Sequence, residues 1–114
     1  MKRETSKLLK RFGVPPHLLG YKYIGDAIEL IQEDGKYLYA ITKALYPKIA
    51  KMNDTTYIRV ERAIRHSIEY AFNSINKELI KEAFGNTYLG VRPTNGHFIA
   101  TLAEIAEQEH IYED

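Results

Sequence analysis

Cysteine is absent from the 114 residues, which excludes a disulfide framework and any metal ligation or nucleophilic catalysis by thiolate. No apolar run approaches the roughly 20 residues of a membrane-spanning helix. The charged N-terminus is not followed by the hydrophobic stretch of an export signal. Low-complexity segments, internal repeats and long linkers are also missing, so nothing divides the chain, and 45% apolar content suffices for one core. A large charge of one sign is lacking too. The formal net charge is +1, and that total alone speaks against a strongly basic nucleic-acid binder. The expectation is a cytoplasmic protein of one domain.

The distribution of charge says more than its sum. Between Lys36 and His66 lie seven basic residues (Lys36, Lys43, Lys48, Lys51, Arg59, Arg62, Arg65) against only Asp54 and Glu61. That stretch therefore carries +5 and the remainder −4. Attraction to a polyanion would be local and oriented.

The centre of this basic stretch is MNDTTYIRVERAIRHSIEYAFNS, Met52 to Ser74. At about 100° per residue, Tyr57, Val60, Ile64, Ile68 and Ala71 gather on one side of a helix expected from Thr55 to Phe72. Arg59, Arg62, Arg65 and His66 gather on the other. Guanidinium forks pair with phosphate oxygens and with the two major-groove acceptors of guanine. Glu61, on the shoulder of the same face, suits a cytosine amino group. The plainer reading makes Glu61, Arg65 and Glu69 successive i,i+4 pairs on a solvated surface, worth about 0.2–0.5 kcal/mol each.

Upstream, LYPKIAKM places Leu45, Ile49 and Met52 on one side, and Asn53, Asp54, Thr55 and Thr56 form a polar turn rich in helix-capping oxygens. The two pieces make a candidate helix-turn-helix. Ala50 is the small residue that allows close approach of the two helices, and Val60 and Ala63 supply apolar contacts. Asp54 stands near the place of the usual turn glycine, and Asp tolerates the left-handed conformation better than most residues.

Elsewhere the pattern is helical. Lys2 to Phe12 puts Leu8, Leu9 and Phe12 on one face and stops at Gly13. Val14, Pro15 and Pro16 force an extended turn. A second helix follows from about Leu18 to Glu33, striped by Tyr21, Ile24, Ile28 and Ile31, with Gly20 and Gly25 as weak points near its start. Tyr37 to Tyr46 predicts a third helix with a break near Tyr46, Pro47 opening the first helix of the DNA-binding pair. Asn76 caps a helix over Lys77 to Phe84 that Gly85 closes, and Thr87 to Val91 reads as a loop or one short strand. Pro93, Thr94 and Asn95 introduce a last helix with Phe98, Ile99, Leu102, Ile105 and Ala106 facing inward. The fold class expected is all-α, about six helices around one core.

Four histidines, His17, His66, His97 and His110, have no second ligand at metal-binding spacing. No cofactor is expected. His66 alone shares the arginine face, and His17 begins a helix or touches DNA. The nine tyrosines fall mostly beside aliphatics, which favours core or boundary positions over base stacking. No glycine-rich phosphate cradle is present, since the glycines read as element ends, and no enzyme is expected. Arg92 either reaches a phosphate backbone or neutralises the acidic residues of the last helix.

Four stretches carry a family resemblance: GVPPHLLGYKYIGDAI at Gly13 to Ile28, ITKALYPKIAK at Ile41 to Lys51, TTYIRVERAIRHSIE at Thr55 to Glu69, and RPTNGHFIATLAE at Arg92 to Glu104. In this order they resemble the C-terminal effector domain of the stage-zero sporulation protein A response regulators of endospore-forming bacteria. VERAIRH is the most specific of them. The resemblance implies an all-helical DNA-binding domain that recognises TGTCGAA-type boxes and activates or represses promoters. It implies that Arg59, Glu61 and Arg62 hold base-reading positions, with Arg65 and His66 making phosphate or further base contacts. It also implies that Thr42 and Lys43 approach the DNA backbone, where Lys51 would join them. A surface around Asn73 to Glu82 would meet the RNA polymerase sigma subunit.

Two departures accompany the resemblance. The family's full-length regulators carry an N-terminal receiver domain with a phosphorylatable aspartate, whereas Met1 here lies only a few residues before the effector begins; a fragment and a stand-alone effector both fit. The end of the chain after His110, IYED, is acidic where a more basic end is implied. The expectation is a monomer that pairs on tandem boxes of double-stranded DNA. The rival is a helical protein-interaction module or stand-alone antagonist that occupies promoter sites or sigma without activating.

Overall fold

The first helix, α1 (Arg3–Arg11), turns Leu8 and Leu9 inward with Phe12 behind them and ends at Gly13. Gly13 has a φ of 77°. Its N–H donates to Lys10 O at 3.0 Å while that of Val14 donates to Leu9 O at 3.0 Å. These paired bonds close a helix through a left-handed residue, which glycine adopts without a Cβ penalty. The computed structural model describes residues 1–86 and 91–113, with side chains as far as residue 109. The loop or strand expected at Thr87 to Val91 thus lies, except for Val91, outside the described residues, as do the side chains of the IYED end.

Five further α-helices follow: α2 (Leu19–Glu33), α3 (Tyr46–Met52), α4 (Tyr57–Ser74), α5 (Lys77–Phe84) and α6 (Asn95–Glu113). Among the described residues there is no strand, so the all-α expectation holds. None of these helices is long and apolar enough to cross a membrane. The third helix expected over Tyr37 to Tyr46 is corrected. Gly35–Tyr39 forms a 3-10 turn and Ile41–Leu45 a single π turn that leads directly into α3. Pro47 explains the difference. It occupies the first turn of α3, where its ring would crowd a carbonyl one turn back in a continuous α-helix. The wider π turn, in which Leu45 N–H reaches Ala40 O at 3.0 Å, gives it room.

The core is one cluster to which every α-helix contributes. Helix α2 lies against both α4 and α6, and α4 also rests on α3. Val60, Ile64 and Ile68 of α4 are at most 1% exposed, and each such burial is worth about 1.5–3 kcal/mol. Around the far half of α4, Phe84 and Phe98 stack with centroids 5.8 Å apart, and Phe72 meets both edge-on. Phe12 joins Phe84 edge-on from the end of α1. Asn76 caps α5 through Oδ1, which accepts from the Glu78 and Leu79 N–H groups, and Thr94 caps α6 by accepting from His97 N–H at 3.1 Å.

Gly20, in the first turn of α2, and Gly25, in its interior, are both buried. A β-carbon on Gly20 would stand 2.0 Å from Ser67 Oγ and 2.3 Å from the Ala63 backbone oxygen. The bare glycine is what lets α2 and α4 cross this closely. A β-carbon on Gly25 would stand 2.2 Å from the tip of the Met1 side chain, which can swing away, and in ordinary contact with Leu9 Cδ1 at 3.5 Å. Gly20→Ala should therefore destabilise the fold by about 1–3 kcal/mol, read in urea as a lower midpoint at unchanged slope. Gly25→Ala should cost less, and equal losses would contradict this account of the crossing.

Candidate nucleic-acid interface

The turn between α3 and α4 is built from the residues that the sequence puts there. Asp54 is the one non-glycine residue with positive φ among those described, at 51°. Thr55 N–H donates to Ala50 O at 3.0 Å, and Asp54 N–H points at Lys51 O at 3.5 Å. This repeats the stop used at Gly13. Thr56 then caps α4, its Oγ1 accepting from Arg59 N–H at 3.3 Å. Ala50 is buried, as its close approach requires. The turn is also tied to the core. Asn53 Nδ2 donates to Asp26 Oδ2 of α2 at 2.9 Å and to Ile49 O at 2.8 Å, and Lys22 Nζ lies 3.2 Å from the same Asp26 oxygen.

With its base fixed, α4 turns Val60, Ile64, Ser67, Ile68 and Ala71 inward, leaving Arg59, Arg62, Arg65 and His66 exposed together. Tyr57 departs from expectation: it is 51% exposed rather than part of the inward stripe. It sits in the first turn of α4, and Ile58 beside it is 47% exposed. Arg59 and Arg62 form no ion pair among the described residues. Arg65 Nη1 lies 3.0 Å from Glu61 Oε1, so one link of the expected i,i+4 chain is made. The second is not. Glu69 instead pairs with Arg92 at 3.1 Å, which places Arg92 against the far half of α4 rather than beside the acidic residues of α6. His66 meets Tyr70 edge-on, with ring centroids 5.3 Å apart.

Thr42 and Lys43 are exposed on the π turn and Lys51 is exposed near the end of α3. His17 is exposed ahead of α2. The described residues hold no cluster of three His, Asp or Glu side chains fit for a metal ion.

Two residues that sequence reasoning did not single out hold the arginine face from behind. Asn95, at the start of α6, donates from Nδ2 to the backbone oxygen of Glu61 at 3.1 Å, bonding α6 to α4 at the level of Arg59 and Arg62. Buried Tyr46 joins them: burial pushes its hydroxyl above its ordinary pKa of 10.0, opposed by a hydrogen-bonding interaction with the Asn95 side chain, while Glu61 raises it and Arg65 lowers it. The sequence signal was a polar residue, Asn95, following the Pro93-Thr94 cap, but its reach of 34 positions to Glu61 leaves no local trace.

Over residues 5–105 the chain matches the family described as "Sporulation initiation factor Spo0A C terminal".

The raised Tyr46 pKa means that the fold favours the neutral hydroxyl. Its contribution to stability is complete below the unfolded pKa near 10.0 and is lost as pH rises through that value toward the folded one. Alkaline unfolding followed by circular dichroism should show wild type losing stability above about pH 10 more steeply than Tyr46→Phe. Parallel curves would contradict the burial of that hydroxyl.

Proposed function

The chain belongs to the Spo0A C-terminal family, a DNA-binding regulatory family of sporulation initiation rather than an enzyme family, and on that premise we propose that it reads TGTCGAA-type boxes by laying the first half of α4 in the major groove. Arg59 and Arg62 contact guanine and Glu61 contacts cytosine. Arg65, His66, Thr42, Lys43 and Lys51 hold the sugar-phosphate backbone. The observation that supports this most is the union of exposed guanidinium groups on Arg59 and Arg62, which form no ion pair among the described residues, with a helix locked on its opposite side. Bidentate pairing needs a donor that is uncommitted and a helix that does not roll.

The Glu61–Arg65 pair fits the same reading. An exposed pair of this kind contributes little to stability, so opening it costs little. Glu61 is then free to accept from a base while Arg65 moves to a phosphate. Arg92, whose pair with Glu69 is just as exposed, can open in the same way to reach the phosphate backbone.

The proposal extends to one effector domain over residues 1–114, acting in the cytoplasm, monomeric alone and paired on tandem boxes. The surface from Asn73 to Glu82, which includes the exposed start of α5, would face the sigma subunit.

Arg62→Ala should cost roughly 1–3 kcal/mol on the cognate box and relax discrimination at one base pair. Lys43→Ala should weaken cognate and scrambled boxes alike. Fluorescence anisotropy with both duplexes separates the two, and equal losses from both variants on both duplexes would overturn the division of roles. With about 4–6 phosphates neutralised, the logarithmic salt slope should lie near −4 to −5; a slope near zero would favour the protein-interaction rival.

A further inference from the structure

Isoleucine 58 is the second residue of α4 and is 47% exposed, while Ile64 and Ile68 on the same helix are at most 1% exposed. By helical geometry it projects within about 40° of Arg62 and about 20° of Arg65, and roughly 140° from the middle of the buried stripe. It is an apolar side chain set among the cations of the reading face. Nothing in the free protein's stability accounts for it there. A β-branched residue is a modest helix former, and the first turn of a helix favours carboxylates, of which the first turn of α4 has none.

We propose that Ile58 recognises the C5-methyl group of a thymine in the box, an inference that rests on α4 entering the major groove as described above. Isoleucine offers no hydrogen bond to phosphate or to the polar edges of bases. The thymine methyl is the one apolar group on the major-groove floor, and it is read by apolar contact. Lying one turn before Arg62, Ile58 would meet a base pair next to those read by the arginines. It adds to their polar code a distinction between thymine and every other base.

The test replaces each thymine of a TGTCGAA-containing duplex, one at a time, with deoxyuridine, which keeps base pairing and removes only the methyl. Wild type and Ile58→Ala are titrated against each duplex by fluorescence anisotropy, and far-ultraviolet circular dichroism checks that the variant remains folded. At one position wild type should bind the deoxyuridine duplex about three- to fivefold more weakly, the worth of one buried methyl-sized group. Ile58→Ala should bind the thymine and deoxyuridine duplexes at that position equally. The inference is overturned if wild type ignores every substitution, or if Ile58→Ala keeps the same discrimination. Failure of wild type to bind the parent box would sink the major-groove proposal itself, and this inference with it; methyl-blind binding of the box sinks this inference alone.

Discussion

The crossing of α2 over α4 at Gly20 is the constraint on which the remaining geometry depends. A β-carbon would overlap both Ser67 Oγ and the Ala63 backbone oxygen, so the two helices meet at a distance that only glycine permits. That contact fixes the rotation of α4 about its own axis. With the rotation fixed, Val60, Ile64 and Ile68 are buried and Arg59 and Arg62 are exposed. A helix free to roll by one residue's angle would present Glu61 or Ala63 in their place.

A second set of contacts fixes where α4 begins. Left-handed Asp54 reverses the chain, Thr56 caps the new helix, and Asn53 fastens the turn to Asp26 on α2. Asn95 bonds the backbone at Glu61 from the side of α6. These are polar links inside a mostly apolar frame. Each is directional where the packed aliphatics are not, so they define position where the hydrophobic contacts supply cohesion.

The parts legible in the sequence were those governed by short-range rules. Gly13 and Gly85 as helix stops, Asn76 as a cap, Pro47 in a first helical turn and Asp54 as the left-handed residue all depend on a few neighbouring positions, and all are found in place. The inward stripe of α4 was legible because 3.6-residue periodicity is itself local. What escaped was long-range. Gly20 read as a weakness because its partner, Ser67, is far along the chain, and a glycine's value in a close crossing does not show in its own segment. The Asn95 bond to Glu61 was hidden for the same reason. Tyr57 was misplaced because periodicity predicts direction around a helix but not what the rest of the chain lays against that direction. The π turn before α3 reflects a steric conflict around Pro47 whose resolution the pattern did not specify.

The bonds converging on the first half of α4 have a consequence for how this protein would respond to change over evolution. Because the scaffold and the exposed guanidinium face are supported by different residues, substitutions at Arg59, Arg62 or Ile58 leave the frame untouched. Under the proposed reading, target preference could therefore drift while foldability is retained. A lineage that reads promoters as proposed could retune them through a handful of codons in one helix, whereas Gly20 and Asn95, which hold α4 from behind, would resist replacement.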